Sequence, residues 1–319
     1  MKRATTRNEI RLKDTARIDK LRPENAERVI ESLLNMAIAT YRVTSLTDFT
    51  ERVLRIQHTW NKEDLDDARR NEEEDEWQPC QVWFRGQDNA RWKLVPHLYR
   101  LKHFNENEIR TEFKLRAFQL MTESRIPQDS REWYFLMQHY GTPTRLLDWT
   151  DGALIALYFA VKSQKRYRDS AVWMLDPEWL NKVVRKKFDA NYMGGVLLPD
   201  WSEAAPWFPE PFDETLHVTL PIAIDPPHIA RRVAVQRSRF TIHGRSRRGL
   251  DVLVGKEKKP RLVKLTISRD DSARILNDLS TCGVVETSVF PDLDGLSREL
   301  KTKWGQQKPF REFVKNPNN

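Results

Sequence analysis

The sequence predicts an α+β fold with a mixed or mostly antiparallel sheet and with N-terminal and inserted helices. Helical periodicity dominates residues 23–60 and 105–163, with one short apolar strand, VWF at 82–84, between these two regions. Later apolar segments are short, rich in β-branched residues and bounded by turn formers. Helices and strands that are grouped along the chain in this way indicate α+β rather than alternating α/β architecture.

Residues 1–77 are expected to form an N-terminal helical extension that ends in an acidic connector. The segments RPENAERVIESLLNMAIATYRV and TSLTDFTERVLRIQHTW carry apolar residues at helical spacing. Thr44 or Ser45 would cap the second helix. Residues 61–78, NKEDLDDARRNEEEDEWQ, are dense in acids, which is typical of a solvated connector.

The main domain is expected over residues 78–300, and its first half contains three predicted helices. They are NENEIRTEFKLRAFQLM, DSREWYFLMQHYG and the almost wholly apolar TDGALIALYFAVKS. Ser130 would cap the second helix and Gly141 would follow its end, while Thr150 or Asp151 would cap the third. The loop between the second and third helices is expected to be held in a fixed conformation.

The second half of the main domain is predicted to be richer in strands. SAVWMLD, RVAVQRSRFTIHG, PRLVKLTIS and VVETSVF have strand-like composition and length. Residues 185–230 lack periodicity and predict a long irregular excursion, a type of segment that is often functional. LSREL begins a last short helix, and residues 301–319 form a basic tail.

Composition favours an anionic partner and excludes several site classes. The net charge is +8, from 54 Lys and Arg against 46 Asp and Glu. Two cysteines are too few for a disulfide framework or a zinc cage, and we expect no metal.

Neither a secretory leader nor a run of about 18 apolar residues is present, so we expect a cytoplasmic protein without a membrane partner. The HExxH, P-loop and GxSxG motifs are also missing from the sequence.

Arg85 stands directly after the apolar strand and is followed by Gly86. A buried guanidinium must be paired or must hold an anion, because an uncompensated buried charge costs several kcal/mol. We therefore consider both an ion pair with Asp148 and a bound ligand. Gly86 would allow a special backbone geometry or the close approach of a ligand. Gln87 would bind an amide or a ribose, or would lie on the surface.

The segment QHYGTPTRLLDWT concentrates polar groups in a short span. One interpretation places His139, Tyr140, Thr144 and Arg145 around the Arg85 pocket. The other is a self-satisfied structural corner, in which Arg145 contacts Asp148. Burial of so many polar groups requires complete hydrogen bonding in either case.

Two further candidates lie on predicted strands. Alternation in VAVQRSRF points Gln236 and Ser238 to one face. Glu286 lies between apolar residues, which predicts a raised pKa or a partner. The adjoining IHGRSRRG would be a basic loop that steers phosphate or nucleic acid, or a solvated hairpin tip.

Four motifs resemble the FRG domain family, which is named for its Phe-Arg-Gly. They are WFRGQ at 83–87, QHYGTPTRLLDWT at 138–150, FTIHG at 240–244 and VFPDLDGLSREL at 289–300. They occur in family order and assign the main domain, residues 78–300, as an FRG domain. The family is broadly uncharacterised, so this resemblance implies little about function.

A strand that ends in aromatic-Arg-Gly is also similar to the first core strand of many ADP-ribosyltransferases. In those enzymes this arginine holds NAD, a serine-bearing strand follows, and a glutamate lies near the end. The resemblance implies that NAD is the substrate and that the catalytic residues are Arg85, Ser238 and Glu286. The expected substrate-binding residues are Gly86, Gln87, His139, Tyr140, Thr144, Arg145 and Gln236.

Three functions remain open from the sequence. The first is an ADP-ribosyltransferase-like or NAD-cleaving effector, for example a toxin in bacterial or phage defence, with a carboxylate that stabilises an oxocarbenium-like ribose. The second is a nucleic-acid-binding or nuclease-like module, suggested by the basic balance, GRSRRG and the tryptophans. The third is a non-catalytic domain that binds a protein partner.

Overall fold

A computed structural model describes residues 38–73, 75, 77–121, 126–163, 168–185, 195–199, 202–209, 218–225, 237–255, 257 and 259–305. Its strands are β1 (Ala39–Val43), β2 (Trp83–Gln87), β3 (Leu146–Thr150), β4 (Ser170–Leu175), β5 (Ile222–Ile224), β6 (Ser238–Ile242) and β7 (Leu262–Ile267). Its α-helices are α1 (Leu46–Arg70), α2 (Glu106–Ala117), α3 (Ser130–His139), α4 (Ala153–Val161), α5 (Pro177–Arg185), α6 (Leu250–Val254), α7 (Arg269–Thr281), α8 (Glu286–Val289) and α9 (Leu293–Gly305). Short 3-10 helices cover Leu98–Arg100 and Ser202–Trp207.

The strands form one seven-stranded sheet in the order β1-β7-β4-β2-β3-β6-β5. Only β1 and β7 pair in parallel among these neighbours, and the other pairs are antiparallel. The predicted α+β class with a mixed, mostly antiparallel sheet is therefore confirmed. β2, which carries Arg85, lies at the centre of the sheet, where both of its faces are covered.

Two hydrophobic cores lie against the central strands. Trp83 and Trp173 belong to the first core, whereas Phe84 and Val172 belong to the second. Because successive side chains of a strand point to opposite faces, β2 and β4 contribute alternately to the two cores. This alternation decides which protein surface each polar side chain of β2 can reach.

Gly86 lies on the second-core face of β2, directly against helix α4. A Cβ at this position would lie 2.0 Å from the Ala156 carbonyl oxygen and 2.8 Å from the Ala160 nitrogen. Both atoms belong to the helix backbone and cannot move independently. Gly86 is therefore required for the close approach of α4 to β2, and Arg85 next to it projects away from α4.

The N-terminal part departs from the prediction at two places. ATYRV, expected at the end of a helix, forms β1 and pairs with β7 in register from Ala39–Val263 to Val43–Ile267. Sheet pairing thus overrides local helical periodicity. Helix α1 also continues to Arg70, so much of the expected acidic connector is helical. The Ser45 cap is confirmed, since its side chain accepts from the Asp48 N–H.

Three other local predictions are corrected. LLDWT, expected within a fixed loop, forms β3, and its pairing with β6 supplies the backbone hydrogen bonds. VVETSVF is not a strand, because Glu286 begins the short helix α8, where the Glu299 carboxylate accepts from the Thr287 N–H at 2.9 Å. Asp129, not Ser130, caps α3, and Gly152 precedes α4 without a side-chain cap.

The sequence predicts a long irregular segment over 185–230. The described residues of this segment contribute to the sheet and to the first core. β5 pairs with β6, and Trp207 and Phe208 are buried in the first core. Most of the first predicted helix, Gln236 and tail residues 306–319 lie outside the described residues. In the described chain, no helix combines the length and apolarity that crossing a membrane requires.

Candidate functional site

A polar cluster lies where β2 and β3 meet, on the side of β2 that faces away from α4. We call this set the Arg85 cluster, and its members are Arg85, Gln87, Arg100, Gln138 and Asp148. Strand alternation places Trp83, Arg85 and Gln87 on one face of β2. The other members come from the 3-10 helix at 98–100, from α3 and from β3.

Arg85 makes few contacts with the protein. Its Nη1 donates to the Asp148 carbonyl oxygen at 2.6 Å, and the Asp148 carboxylate lies 3.8 Å from the same nitrogen. Its Nε has no hydrogen-bond partner in the described part of the chain. The side chain is 18% exposed. A guanidinium carries five N–H donors, so the described protein leaves most of its hydrogen-bonding capacity unused.

The contact of Arg85 with β3 occurs where the strand ladder ends. β2 and β3 share one registered pair, Phe84 with Thr150, whereas β2 and β4 pair over five residues. Beyond that pair, the Asp148 carbonyl oxygen accepts a hydrogen bond from the Arg85 side chain. In a continued β2–β3 pairing, a backbone N–H of β2 would take this place. The guanidinium therefore lies at a local break in the sheet, and such breaks commonly redirect a side chain for function.

Gln87 is the most buried member of the Arg85 cluster, with 3% of its surface exposed. Its Oε1 accepts from Trp173 Nε1 at 2.9 Å, while its Nε2 has no partner among the described residues. Trp83 Nε1, on the same face, is also buried without a described partner. Buried donors are normally paired, so an accumulation of unpaired donors on one face calls for an explanation.

Arg100 adds a second positive charge to the cluster. Its Nε and Nη2 donate to the Val95 carbonyl oxygen at 2.9 and 2.7 Å, and its guanidinium lies 6.0 Å from the Trp92 ring centroid. Burial lowers the pKa of Arg85 below its ordinary value, with Asp148 opposing this and Arg100 adding to it. Burial also lowers the pKa of Arg100 against the opposing charge of Asp148. Two guanidinium groups thus lie within electrostatic range of one carboxylate, and this excess of positive charge favours an additional anion.

Asp148 is the carboxylate of the cluster, and its side chain is 57% exposed. Gln138 Nε2 donates to its Oδ1 at 2.9 Å. The Thr144 hydroxyl donates to the side-chain oxygen of Gln138 and accepts from the Leu146 N–H at 3.1 Å. Thr144, one of the predicted site residues, therefore orients Gln138, which in turn positions Asp148.

Arg145 belongs to a separate, fully buried corner. Its side chain is 2% exposed, and its Nε donates to both Glu106 carboxylate oxygens at 3.0 Å. Its Nη1 donates to the His243 carbonyl oxygen at 3.0 Å, and the Tyr134 hydroxyl bonds to Glu106 at 2.6 Å. The expected partner of Arg145, Asp148, is thus replaced by Glu106. Arg145 is structural in this arrangement, because its hydrogen bonds are directed to the protein.

His243 lies in the same corner without any exposed surface. Burial, together with the positive charges of Arg145 and Arg85, lowers its pKa from 6.5 to about 3. Its Nε2 lies 3.4 Å from the Thr241 hydroxyl, and its Nδ1 has no partner among described residues. The imidazole is therefore neutral at physiological pH and lies within electrostatic reach of Arg85.

The other predicted residues on α3 occupy its C-terminus. His139 is the last residue of the helix, and its ring packs edge-on against Tyr140 with centroids 5.1 Å apart. Tyr140 is 71% exposed. Gly141 follows with φ of +78°, the left-handed conformation that terminates many helices.

Glu286 does not join Arg85. Its Oε1 accepts from Arg298 Nε at 2.6 Å, and its Oε2 accepts from the Tyr158 hydroxyl. Tyr158 lies on α4, the helix that Gly86 faces, so Glu286 and Arg85 are on opposite sides of the sheet. Although partial burial raises the pKa of Glu286, hydrogen bonds from these two partners outweigh it and hold the pKa below its ordinary value. The structure therefore does not bring Glu286 together with Arg85, and a catalytic role for Glu286 stays a prediction.

Ser238 opens β6 opposite Thr150 of β3. It lies two strands from Arg85, which corresponds to about 10 Å between backbones. Gln236, its expected companion, is outside the described residues. The structure thus leaves Asp148 as the carboxylate that accompanies Arg85.

A second arginine, Arg261, lies in a contrasting polar network. It donates to Asp64 at 2.6 Å and to Asp176 at 2.8 Å. Ligand atoms of Asp64, Cys80 and Asp176 lie within 4.8 Å of one another, the spacing of a metal site. Arg261 already supplies the balancing positive charge. Burial, aided by the charge of Asp176, raises the pKa of Cys80 to about 12, so its thiol stays protonated. We assign no metal to this network.

Sequence reasoning missed Gln138, Arg100 and Trp173. Gln138 opens the motif QHYGTPTRLLDWT, and its place on the face of α3 that reaches β3 could have been read from helical spacing. Arg100 and Trp173 gave no such signal, because long-range packing brings them to Arg85.

Comparison with known proteins adds one match. A model of the FRG domain matches residues 80–169, a range that contains all five members of the Arg85 cluster but neither Ser238 nor Glu286. No curated protein shows a significant match to the chain. No solved structure does so either.

Proposed function

The chain carries an FRG domain over residues 80–169, and from this premise we propose that the domain binds the pyrophosphate of NAD at the Arg85 cluster. We further propose that it is an ADP-ribosyltransferase-like or NAD-cleaving enzyme. The observation that supports both statements is the half-paired guanidinium of Arg85, which has one hydrogen bond to the described protein.

The charge and chemistry of the cluster suit a dinucleotide. Arg85 and Arg100 contribute two positive charges against the single negative charge of Asp148. A guanidinium binds phosphate oxygens through paired N–H donors, and Arg85 retains such donors. Trp92 is 46% exposed beside Arg100 and would offer an aromatic face to a base.

Asp148 replaces Glu286 as the carboxylate in this proposal. In NAD cleavage the bond between ribose C1′ and the nicotinamide nitrogen breaks, and nicotinamide leaves with the electron pair. The ribose becomes oxocarbenium-like, and a nearby carboxylate stabilises this positive charge. Water or an acceptor nucleophile then bonds to C1′ and loses its proton to solvent or to Asp148. The exposed carboxylate of Asp148, held by Gln138, is accessible to such a substrate.

Calorimetric titration with NAD tests the binding step, and chromatography of released nicotinamide tests the reaction. Arg85→Gln should weaken NAD binding by about 10- to 100-fold, the effect of losing a charge-assisted hydrogen bond. Asp148→Asn should retain binding and lower turnover by about 100-fold. Arg116→Gln, which removes an exposed arginine on α2, is the matched control and should change neither quantity.

The two parts of the proposal fail separately. Equal NAD affinity of wild-type protein and Arg85→Gln overturns the binding site. Binding without nicotinamide release overturns the enzymatic part and leaves a non-catalytic receptor. If turnover is found, expression of wild-type protein in bacteria should deplete cellular NAD and arrest growth, as expected of a toxin or antiviral effector, while Asp148→Asn should do neither.

A further inference from the structure

A cationic surface lies beside the Arg85 cluster and is formed by two chain segments, 91–104 and 244–249. These segments contain neither Asp nor Glu. Their exposed cationic residues outside the Arg85 cluster define the cationic surface: Arg91, Lys93, Lys102, Arg245, Arg247 and Arg248. None of the six forms an ion pair with a described residue.

The two segments are joined to each other at several points. The Leu250 N–H donates to the Leu94 carbonyl oxygen at 2.9 Å, just beyond the second segment. The Tyr99 hydroxyl donates to the Gly244 carbonyl oxygen at 2.5 Å. The guanidinium of Arg247 lies 4.8 Å from the Phe104 ring centroid. The two backbone segments that carry the positive charges are therefore held beside each other.

The pairing pattern elsewhere shows why this surface is unusual. Four exposed arginines on the helices pair with an acid one turn or less away: Arg70 with Asp67, Arg116 with Glu112, Arg269 with Asp270 and Arg274 with Asp271. Such pairs cancel the local field. Six unpaired cations on one surface instead produce a positive potential that attracts a polyanion.

We propose that the cationic surface binds the phosphate backbone of single-stranded nucleic acid. Four of its six cations are arginines, which bind phosphate bidentately. Trp92 adds an exposed ring on which a base can stack. A protein partner is disfavoured, because Trp92 is the one large apolar side chain that these two segments expose, whereas protein interfaces normally have a larger apolar centre.

Fluorescence anisotropy with a labelled 20-nucleotide single strand, as DNA and as RNA, tests this surface between 50 and 200 mM salt. The triple variant Arg245→Gln/Arg247→Gln/Arg248→Gln should bind at least about 10-fold more weakly at low salt, and the magnitude of the slope of log affinity against log salt should fall by about two, since each phosphate contact on a single strand contributes about 0.7. The matched control, Arg55→Gln/Arg116→Gln/Arg269→Gln, has the same net charge change. It should keep the wild-type affinity and slope.

Several outcomes would overturn the inference. Equal weakening in both triple variants would mean that net charge, not this surface, controls binding. A salt-independent affinity, or binding to phosphatidylserine vesicles without binding to either oligonucleotide, would also contradict it. Trp92→Ala should weaken single-strand binding about 10-fold and leave duplex binding unchanged, and equal weakening of both would contradict the single-strand assignment. Arg85→Gln should leave oligonucleotide binding intact, so failure of the proposed NAD site would not be mistaken for failure of this surface.

Discussion

Arg85 and Arg261 are both largely buried arginines beside an aspartate, yet their surroundings differ in kind. Arg261 is 12% exposed and forms close bonds to two carboxylates. Arg85 is 18% exposed and bonds one backbone carbonyl, with its nearest carboxylate at 3.8 Å. Burial opposes the charge at both sites. Hydrogen bonds to Asp64 and Asp176 nevertheless raise the pKa of Arg261, whereas burial prevails at Arg85 and lowers its pKa.

The difference distinguishes an arginine that stabilises the fold from one that is a candidate for ligand binding. A raised arginine pKa means that folding favours the charged form, so the charge of Arg261 stabilises the fold. A lowered pKa means that folding disfavours the charge of Arg85. A buried group whose charge is disfavoured by folding is a candidate for binding or catalysis. Mutations that treat the two arginines identically should therefore give different results.

The largest effect is expected at Arg261. Arg261→Met leaves the buried Asp176 carboxylate without its partner and should lower the free energy of unfolding by about 3–5 kcal/mol. Urea unfolding at pH 7 measures this change. Arg269→Met, which removes an exposed pair, should stay within about 0.5 kcal/mol of wild type. A loss at Arg261 no larger than at Arg269 would remove the contrast between the two buried arginines.

A smaller effect, dependent on pH, is expected at His243. Its folded pKa of about 3 lies below the ordinary 6.5, so between these values the unfolded chain binds a proton that the folded protein does not. Stability therefore falls as pH falls from 6.5 towards 3, by about 1–2 kcal/mol between pH 6.5 and 5. Unfolding free energies of wild type and His243→Gln across this range measure the contribution.

The control for this experiment is His97→Gln, which alters an exposed histidine and should keep the wild-type pH dependence. The experiment also sharpens the comparison of the arginines. Arg85→Met removes one of the positive charges that lower the pKa of His243, so it should reduce the acid sensitivity. An identical pH dependence in wild type and His243→Gln would show that His243 is not held neutral by this corner.

Local sequence patterns predicted the features of the Arg85 region that depend on neighbouring residues. An arginine after an apolar strand and the Ser45 cap of α1 are visible in a few consecutive residues. The α+β class follows from the grouping of periodic segments. Asp148 could be suggested as the partner of Arg85 because both lie in recognisable motifs.

Features that depend on distant packing could not be predicted in this way. Glu106 pairs with Arg145 across 39 residues of sequence, and no local signal distinguishes it from other acids of α2. The apolar neighbours of Glu286 predict a strand, whereas its partners Tyr158 and Arg298 hold it in a short helix beside α4. The local sequence does not predict β3, because its five residues follow a turn and their strand conformation is stabilised by pairing with the distant strand β6.

The smallest effect on stability is expected at Arg85 itself. Arg85→Met removes one hydrogen bond to a carbonyl, which costs about 1 kcal/mol, and also removes the cost of burying a half-paired charge. The two contributions oppose each other, so the free energy of unfolding should change by less than about 1 kcal/mol. Arg145→Met is the matched comparison, because it breaks a fully paired buried arginine and should cost about 3–5 kcal/mol. Urea unfolding with unchanged m-values measures both. A loss at Arg85 as large as that at Arg145 would mean that Arg85 is held by the protein after all, and the case for a ligand at this position would be lost.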